Sequence, residues 1–316
     1  MPFDVQPVAG PGPGAIVTGL DLESLADPQV RRDLHDLWIR EGLLVCRGLD
    51  GGEAQVRLSE AFGTLTRHPV REAWVDGHPE LIDVRYNPDK GSLYNVDGTV
   101  VGAWLPWHSD LMYVDKINHG GVLRALEISE VGGRTGFIDQ IAAHDRLPDD
   151  LKTQIEGLSI AYKLNFDPAT NKFLRKYNVH VTRSTPERDA IMLRAQGDDF
   201  PVVVHPMVYA QAETGRKVLN VCPYNALGIH GRLDPAGDAL LQAVFDHCLD
   251  ERFAYFHQWR LGDMVAWDNW RMLHCVEGIP PSASRRMQRT TIAGDYRLGR
   301  LADDGRAAAA DEPEYA

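Results

Sequence analysis

Apolar residues recur along this chain with two periods, and their interleaving predicts a mainly β protein decorated by a few helices. Asp27-Pro28 opens a run in which Val30, Leu34, Leu37 and Trp38 share one side of a 3.6-residue repeat, closed by Gly42. Aspartate can cap the free N–H groups of a first turn, and proline fits the first helical position. Leu43 to Cys46 then reads as a buried strand, and a second helix over about 52–62 directs Leu58, Ala61 and Phe62 to the core. Further helices are expected near 148–157 and near 236–251, the latter with Leu240, Leu241, Val244, Phe245 and Leu249 at helical spacing. Short edge strands are expected within 1–20, and strands at 122–128, 137–138, 201–209, 217–221, 263–267, 272–276 and 288–294. Two stretches lack either period. Residues 85–104, rich in Asn, Asp and Gly with Tyr86, Tyr94 and Trp104 interspersed, read as a long loop. Residues 162–200 read as polar and irregular; both stretches are expected to wall or cover a pocket. No repeat or interdomain linker interrupts the pattern, so residues 1–300 are expected to form one domain. Residues 301–316, without a core-forming pattern, are expected to be a flexible tail.

Candidate chemistry concentrates in Trp107-His108-Ser109-Asp110. Side chains alternate faces along a strand, so His108 and Asp110 would point the same way. An imidazole and a carboxylate converging from one side supply two of the three ligands of a 2-His-1-carboxylate triad, which suits non-heme Fe(II) because it leaves positions open for O2 and a co-substrate. His-x-Asp alone is common. A second block, Gly262 to His274, offers His274 as the third ligand, although a lone histidine in an apolar strand is by itself more often a core residue. An arginine-rich strand, Arg285 to Ile292, follows.

Taken together, Trp-His-x-Asp (Trp107–Asp110), Gly-Gly-x-Thr (Gly132–Thr135), Trp-Asp-Asn-x-x-x-x-His (Trp267–His274) and the arginine pair Arg285 and Arg289 resemble the taurine dioxygenase/TfdA-like family. The likeness extends from about residue 4 to about residue 296. It implies a double-stranded β-helix, a jelly-roll or cupin-like barrel with flanking α-helices, and an Fe(II)- and 2-oxoglutarate-dependent dioxygenase that consumes O2 and releases succinate and CO2. The resemblance implies that His108, Asp110 and His274 hold iron, and that Thr135 and Arg285 hold 2-oxoglutarate. Arginine suits the far carboxylate of such a co-substrate because its planar fork makes paired, charge-assisted hydrogen bonds. Arg289 and His68 correspond to the anion-binding side of the substrate pocket in taurine-type members, while Arg289 also has a place in the co-substrate shell. Tyr94 and Trp104 are added as pocket-wall candidates. Asp268 and Asn269 read as turn and supporting groups rather than ligands. Asp110 retains the carboxylate that halogenating relatives lack, which favours hydroxylation or a related oxidation. Arg134 departs from the family, which usually has aspartate at that position, and this leaves the substrate class open.

Composition narrows the alternatives. The 316 residues are 44% hydrophobic and 25% charged, as in an ordinary soluble globular protein, and the net charge of −12 disfavours nucleic acid and anionic membrane as partners. Cys46, Cys222, Cys248 and Cys275 lack zinc or disulfide spacing and read as buried thiols; Cys275 should face away from His274 on a strand. Neither a leader-like segment nor a long apolar run is evident, so a cytoplasmic enzyme acting on a small, anionic organic molecule is expected, with a homodimer or tetramer suggested by relatives. A metal-dependent hydrolase using the same His/Asp/His site is the competing enzymatic reading, and a metal-stabilised binding barrel is the non-enzymatic one. The hydrolase would not need the dicarboxylate clamp.

Overall fold

In the computed structural model, residues 2–67, 74–75, 77–174, 177–294 and 297–302 are described. The opening helix runs Pro28–Glu41 as its pattern predicts. Asp27 accepts a hydrogen bond from the Gln29 N–H, and Gly42 closes the helix in the left-handed conformation at φ 72°. Its apolar stripe packs with the outward-facing residues of a large sheet whose order is Asp4–Pro7, Ala15–Thr18, Leu43–Cys46, Met264–Asp268, Gly120–Glu127, Arg285–Ile292, His78–Tyr86 and Trp74–Val75. The short strand Leu65–Thr66 also joins Arg285–Ile292.

A second sheet of four strands is ordered Tyr255–His257, Thr135–Asp139, Met272–Val276 and Leu105–His108. Period-two alternation sorts each strand's residues between two environments. Met264 and Ala266 pack under the helices, whereas Val265 and Trp267 turn inward and meet Phe137, Met272 and Met287 in the space between the sheets. Trp107, Ile138, Leu273 and Cys275 lie on the far side of the small sheet against helix Pro235–Cys248. This is the jelly-roll barrel with flanking helices that the resemblance implies. The chain runs close where the sheets meet: a Cβ on Gly120 would collide with the Trp267 carbonyl, and one on Gly121 would lie 2.8 Å from the Trp267 ring.

Two expectations change. Within the supposed 85–104 loop, Leu93–Val96 and Thr99–Gly102 pair as a hairpin, with Asp97 and Gly98 at φ 51° and 90° in the turn. Residues 162–200 contain a strand, Val179–Arg183, that joins this hairpin, and a helix, Pro186–Ala195, capped by the Thr185 side chain. The arginine-rich strand runs Arg285–Ile292, with the bounds expected for it. Arg300–Leu301 pairs with Val203 and Val204, while His68 and residues 303–316, including most of the expected tail, lie outside the described residues. Among the described residues no helix is long and apolar enough to cross a membrane.

Candidate metal and co-substrate site

His108 and His274 face each other across the register of the small sheet, their ring centroids 4.1 Å apart. Both imidazoles point inward because Trp107 and Cys275, their neighbours, take the outward positions. His108 Nδ1 lies 2.8 Å from the Pro106 carbonyl; donation there leaves Nε2 with its lone pair toward the barrel. The Nε2 atoms of His108 and His274 each lie 3.7 Å from Asp110 Oδ1. One ligand atom from each of the three residues falls within 4.8 Å of the others. Metal–ligand bonds of about 2.1 Å at right angles need ligand atoms roughly 3 Å apart, so a modest contraction seats an ion.

The electrostatics suit a cation. Burial and the neighbouring His108 push the His274 imidazole down to about 4, so it is neutral and ready to ligate near pH 7. Burial opposes ionisation of Asp110, but Arg289 and the two imidazoles outweigh it and hold the carboxyl well below the usual carboxylate range. Asp110 is aimed by a tight local frame. Leu111, immediately after it, is at φ 60°, a left-handed conformation that costs a non-glycine residue about 1 kcal/mol. Asn269 holds the turn from the other side: its Oδ1 accepts the Asp110 N–H at 2.8 Å and its Nδ2 donates to the Asp110 carbonyl at 3.1 Å. Asn269 therefore supports the site without ligating. Asp268, next to it, faces away and accepts the Trp270 N–H at 3.0 Å. Burial pushes this carboxyl up to about 7.

On the inward face of the arginine strand, Arg289 donates from Nη2 to Asp110 Oδ2 at 2.6 Å and lies over the Trp267 ring. Arg285, four residues away on the same face, is 5% exposed, and its Nη2 is buried without a hydrogen-bond partner. Among the described residues no carboxylate lies within ion-pair distance of it, and burial alone pulls its guanidinium down to about 10. It borders a small cavity with Gly132, Gly133 and Trp259. Thr135 is buried nearby, its hydroxyl accepting a hydrogen bond from Trp259 Nε1 at 3.0 Å.

The remaining candidates separate. Tyr94 and Trp104 pack at a tilt with ring centroids 5.6 Å apart, and Trp104 meets Tyr177 edge-on at 5.9 Å. Tyr224 meets His108 edge-on at 6.4 Å. Burial raises the Tyr224 hydroxyl, with Tyr94 and Tyr113 adding to the effect. These tyrosines thus approach the site, yet Tyr113, Tyr177 and Tyr224 carry no local motif that would have singled them out. Arg134 is paired with Glu277 through two hydrogen bonds of 2.7 and 2.5 Å, and its charge is balanced on the exposed rim. The four cysteines are buried, and no disulfide joins them.

A family comparison settles the lineage. The pattern of the taurine catabolism dioxygenase TauD, TfdA family matches residues 4–291. The chain belongs to this family. It is 31% identical over 297 residues to the (S)-phenoxypropionate/alpha-ketoglutarate-dioxygenase of Sphingobium herbicidovorans, covering 93% of this chain and 96% of that protein. It is 30% identical over 292 residues to the alpha-ketoglutarate-dependent 2,4-dichlorophenoxyacetate dioxygenase of Cupriavidus pinatubonensis, covering 88% and 94%. The crystal structure of AAD-2 in complex with Mn(II) and N-oxalylglycine superposes with a TM-score of 0.70 at 26% identity, covering 94% of this chain and 100% of that one. The family member described here is accordingly an Fe(II)- and 2-oxoglutarate-dependent dioxygenase, and neither the hydrolase nor the passive barrel finds support.

Proposed function

We propose that this dioxygenase oxidises, by hydroxylation, a small organic anion, with His108, Asp110 and His274 as the iron ligands and residues 1–300 acting as one catalytic unit. The observation that carries the reading is the pair of inward arginines beside the triad, one answered by Asp110 and one unanswered. When bound, iron supplies O2 activation coupled to oxidative decarboxylation of 2-oxoglutarate to succinate and CO2. Arg285 and Thr135 hold the distal carboxylate of the co-substrate, which brings the anion that the buried guanidinium lacks. Phe137, Trp267 and Met287 line the interior and exclude water from the reacting centre.

Arg289 holds Asp110 through one N–H, and a guanidinium carries five, so others remain to meet an anionic substrate. The two relatives above are named for phenoxypropionate and dichlorophenoxyacetate, both carboxylates on an aryloxy group. The Tyr94, Trp104 and Tyr177 cluster gives a ring of that kind apolar surface to pack on. His68 remains a candidate second contact for the anion. The test is succinate release from 2-oxoglutarate with ferrous iron under air, screened against aryloxyalkanoates, sulfonates and sulfate esters. Stimulation by one anionic class and not by its methyl esters is the expected result. Stimulation by neutral compounds alone would overturn the assignment of substrate charge.

A further inference from the structure

Thr135 has more than a hydroxyl at the right place: it has a hydroxyl whose orientation is set. An indole N–H only donates, so in the 3.0 Å contact Trp259 donates and Thr135 Oγ1 accepts. A threonine hydroxyl has one proton and two lone pairs. With a lone pair engaged by Trp259, the proton is directed elsewhere, and among the described residues nothing accepts it. Trp259 is itself held in place, 5% exposed, with the His257 ring edge-on at 4.6 Å. His257 Nδ1 is 2.9 Å from the Tyr255 hydroxyl and Nε2 is 3.1 Å from Asp263 Oδ2, while Asp263 accepts from Arg47 Nε at 3.1 Å. A buttress therefore runs from the surface to the indole. Trp259 and Arg285 border the same small cavity.

We infer that Trp259 is a positioning residue for the co-substrate: its indole N–H fixes the Thr135 hydroxyl so that the hydroxyl proton is presented to the carboxylate bound by Arg285. This rests on the co-substrate site proposed above. Trp259 touches no reacting atom and acts through Thr135 alone.

The measurement is calorimetric affinity for 2-oxoglutarate, taken without oxygen on the full chain loaded with Mn(II), alongside the Michaelis constant for 2-oxoglutarate in the iron enzyme. Trp259→Phe keeps the ring and removes the donor; it is expected to weaken 2-oxoglutarate about five- to tenfold, in the range of one ordinary net hydrogen bond, because the indole acts on the carboxylate only through Thr135. Thr135→Val should give a similar loss, and Thr135→Ser, which keeps the hydroxyl, should stay within about twofold of the parent. The double variant Trp259→Phe, Thr135→Val should bind no worse than Thr135→Val, because two residues acting as a unit are not additive. Binding of 2-oxobutanoate, which lacks the distal carboxylate, should be unchanged by Trp259→Phe. Multiplying losses in the double variant, or equal weakening of 2-oxobutanoate, would make Trp259 only a wall of the barrel and overturn the inference. Arg285→Leu is the control that separates the two levels. If it weakens 2-oxoglutarate and Trp259→Phe does not, the positioning role alone falls; if neither matters, the co-substrate site itself lies elsewhere.

Discussion

Arg285 and Arg289 leave one face of one strand, four residues apart, and meet opposite conditions. Arg289 is answered inside the protein by Asp110, at 2.6 Å. Arg285 is the more deeply placed of the two, yet only desolvation acts on it. A buried guanidinium without a counter-charge is costly to folding, and such a cost persists where a ligand supplies the missing anion. The same strand thus carries a charge used to organise the metal ligands and a charge held ready for a small molecule. The two ends should respond to mutation with opposite signs in stability.

The largest effects belong to the Arg289 end. His108→Ala, Asp110→Ala and His274→Ala should each abolish Fe(II)-dependent succinate formation while leaving the far-UV dichroism of the barrel intact; full activity in any one of them would remove that residue from the metal site. Asp110→Ala also strands Arg289, so the metal-free variant should lose about 1–3 kcal/mol, the cost of an unsatisfied buried polar group. Adding Arg289→Leu to it should restore much of that stability without restoring activity, as read by urea titration.

At the other end, Arg285→Leu should raise the Michaelis constant for 2-oxoglutarate at least about tenfold, the loss of a charge-assisted pair. The same change should leave the metal-free protein as stable as the parent or more so, because it removes an unpaired buried charge. A protein destabilised by Arg285→Leu would mean that the guanidinium is already satisfied and that the contrast between the two arginines is wrong. Of smaller effect, Arg289→Ala should weaken the anionic substrate several-fold more than 2-oxoglutarate. The reverse order would move Arg289 to the co-substrate shell.

How much of this could be read from the sequence depends on whether the cause is local. The helix Pro28–Glu41 carries its own cap, stripe and terminator, and His108-x-Asp110 carries its geometry in its spacing. The helix Pro186–Ala195 is hard to read from the sequence because it buries only Ala195 and shows no apolar stripe; Thr185-Pro186 is its one local signal. The hairpin 93–102 reads as a loop in the sequence although Asp97-Gly98 is a strong turn dipeptide, because the polar composition around it masks two short strands. Arg134 looked anomalous until Glu277, 143 residues away, supplied its partner. The contacts of Arg289 with Asp110 and of Trp259 with Thr135 join residues 179 and 124 apart, and no local spacing encodes them.

An effect on stability alone, with activity untouched, lies behind the Arg289 end, where His119 stacks on Trp270 at 3.6 Å and its Nε2 lies 3.7 Å from Asp268 Oδ1. Burial pushes His119 down to about 3 and Asp268 up to about 7, so at pH 5 to 6 both are neutral in the fold. Their linkage terms have opposite signs. Unfolded histidine takes up a proton below about 6.5 that folded His119 refuses, so this term makes stability rise as pH increases from about 3 to 6.5. Folded Asp268 keeps a proton that the unfolded carboxyl releases above about 4, so its term makes stability fall between about 4 and 7. Across pH 4.5–6 the two nearly cancel, leaving the slope to other buried neutral histidines such as His205, which burial holds at about 4. Asp268→Asn removes the falling term only. Its stability should therefore rise with pH more steeply than the parent's by one proton, about 1.4 kcal/mol per pH unit. Urea titrations of the metal-free proteins at three pH values in that window read the slope directly. Parallel slopes would mean that Asp268 is ionised in the fold, and that the Asn269 turn holding Asp110 rests on a buried charge rather than on a neutral pair.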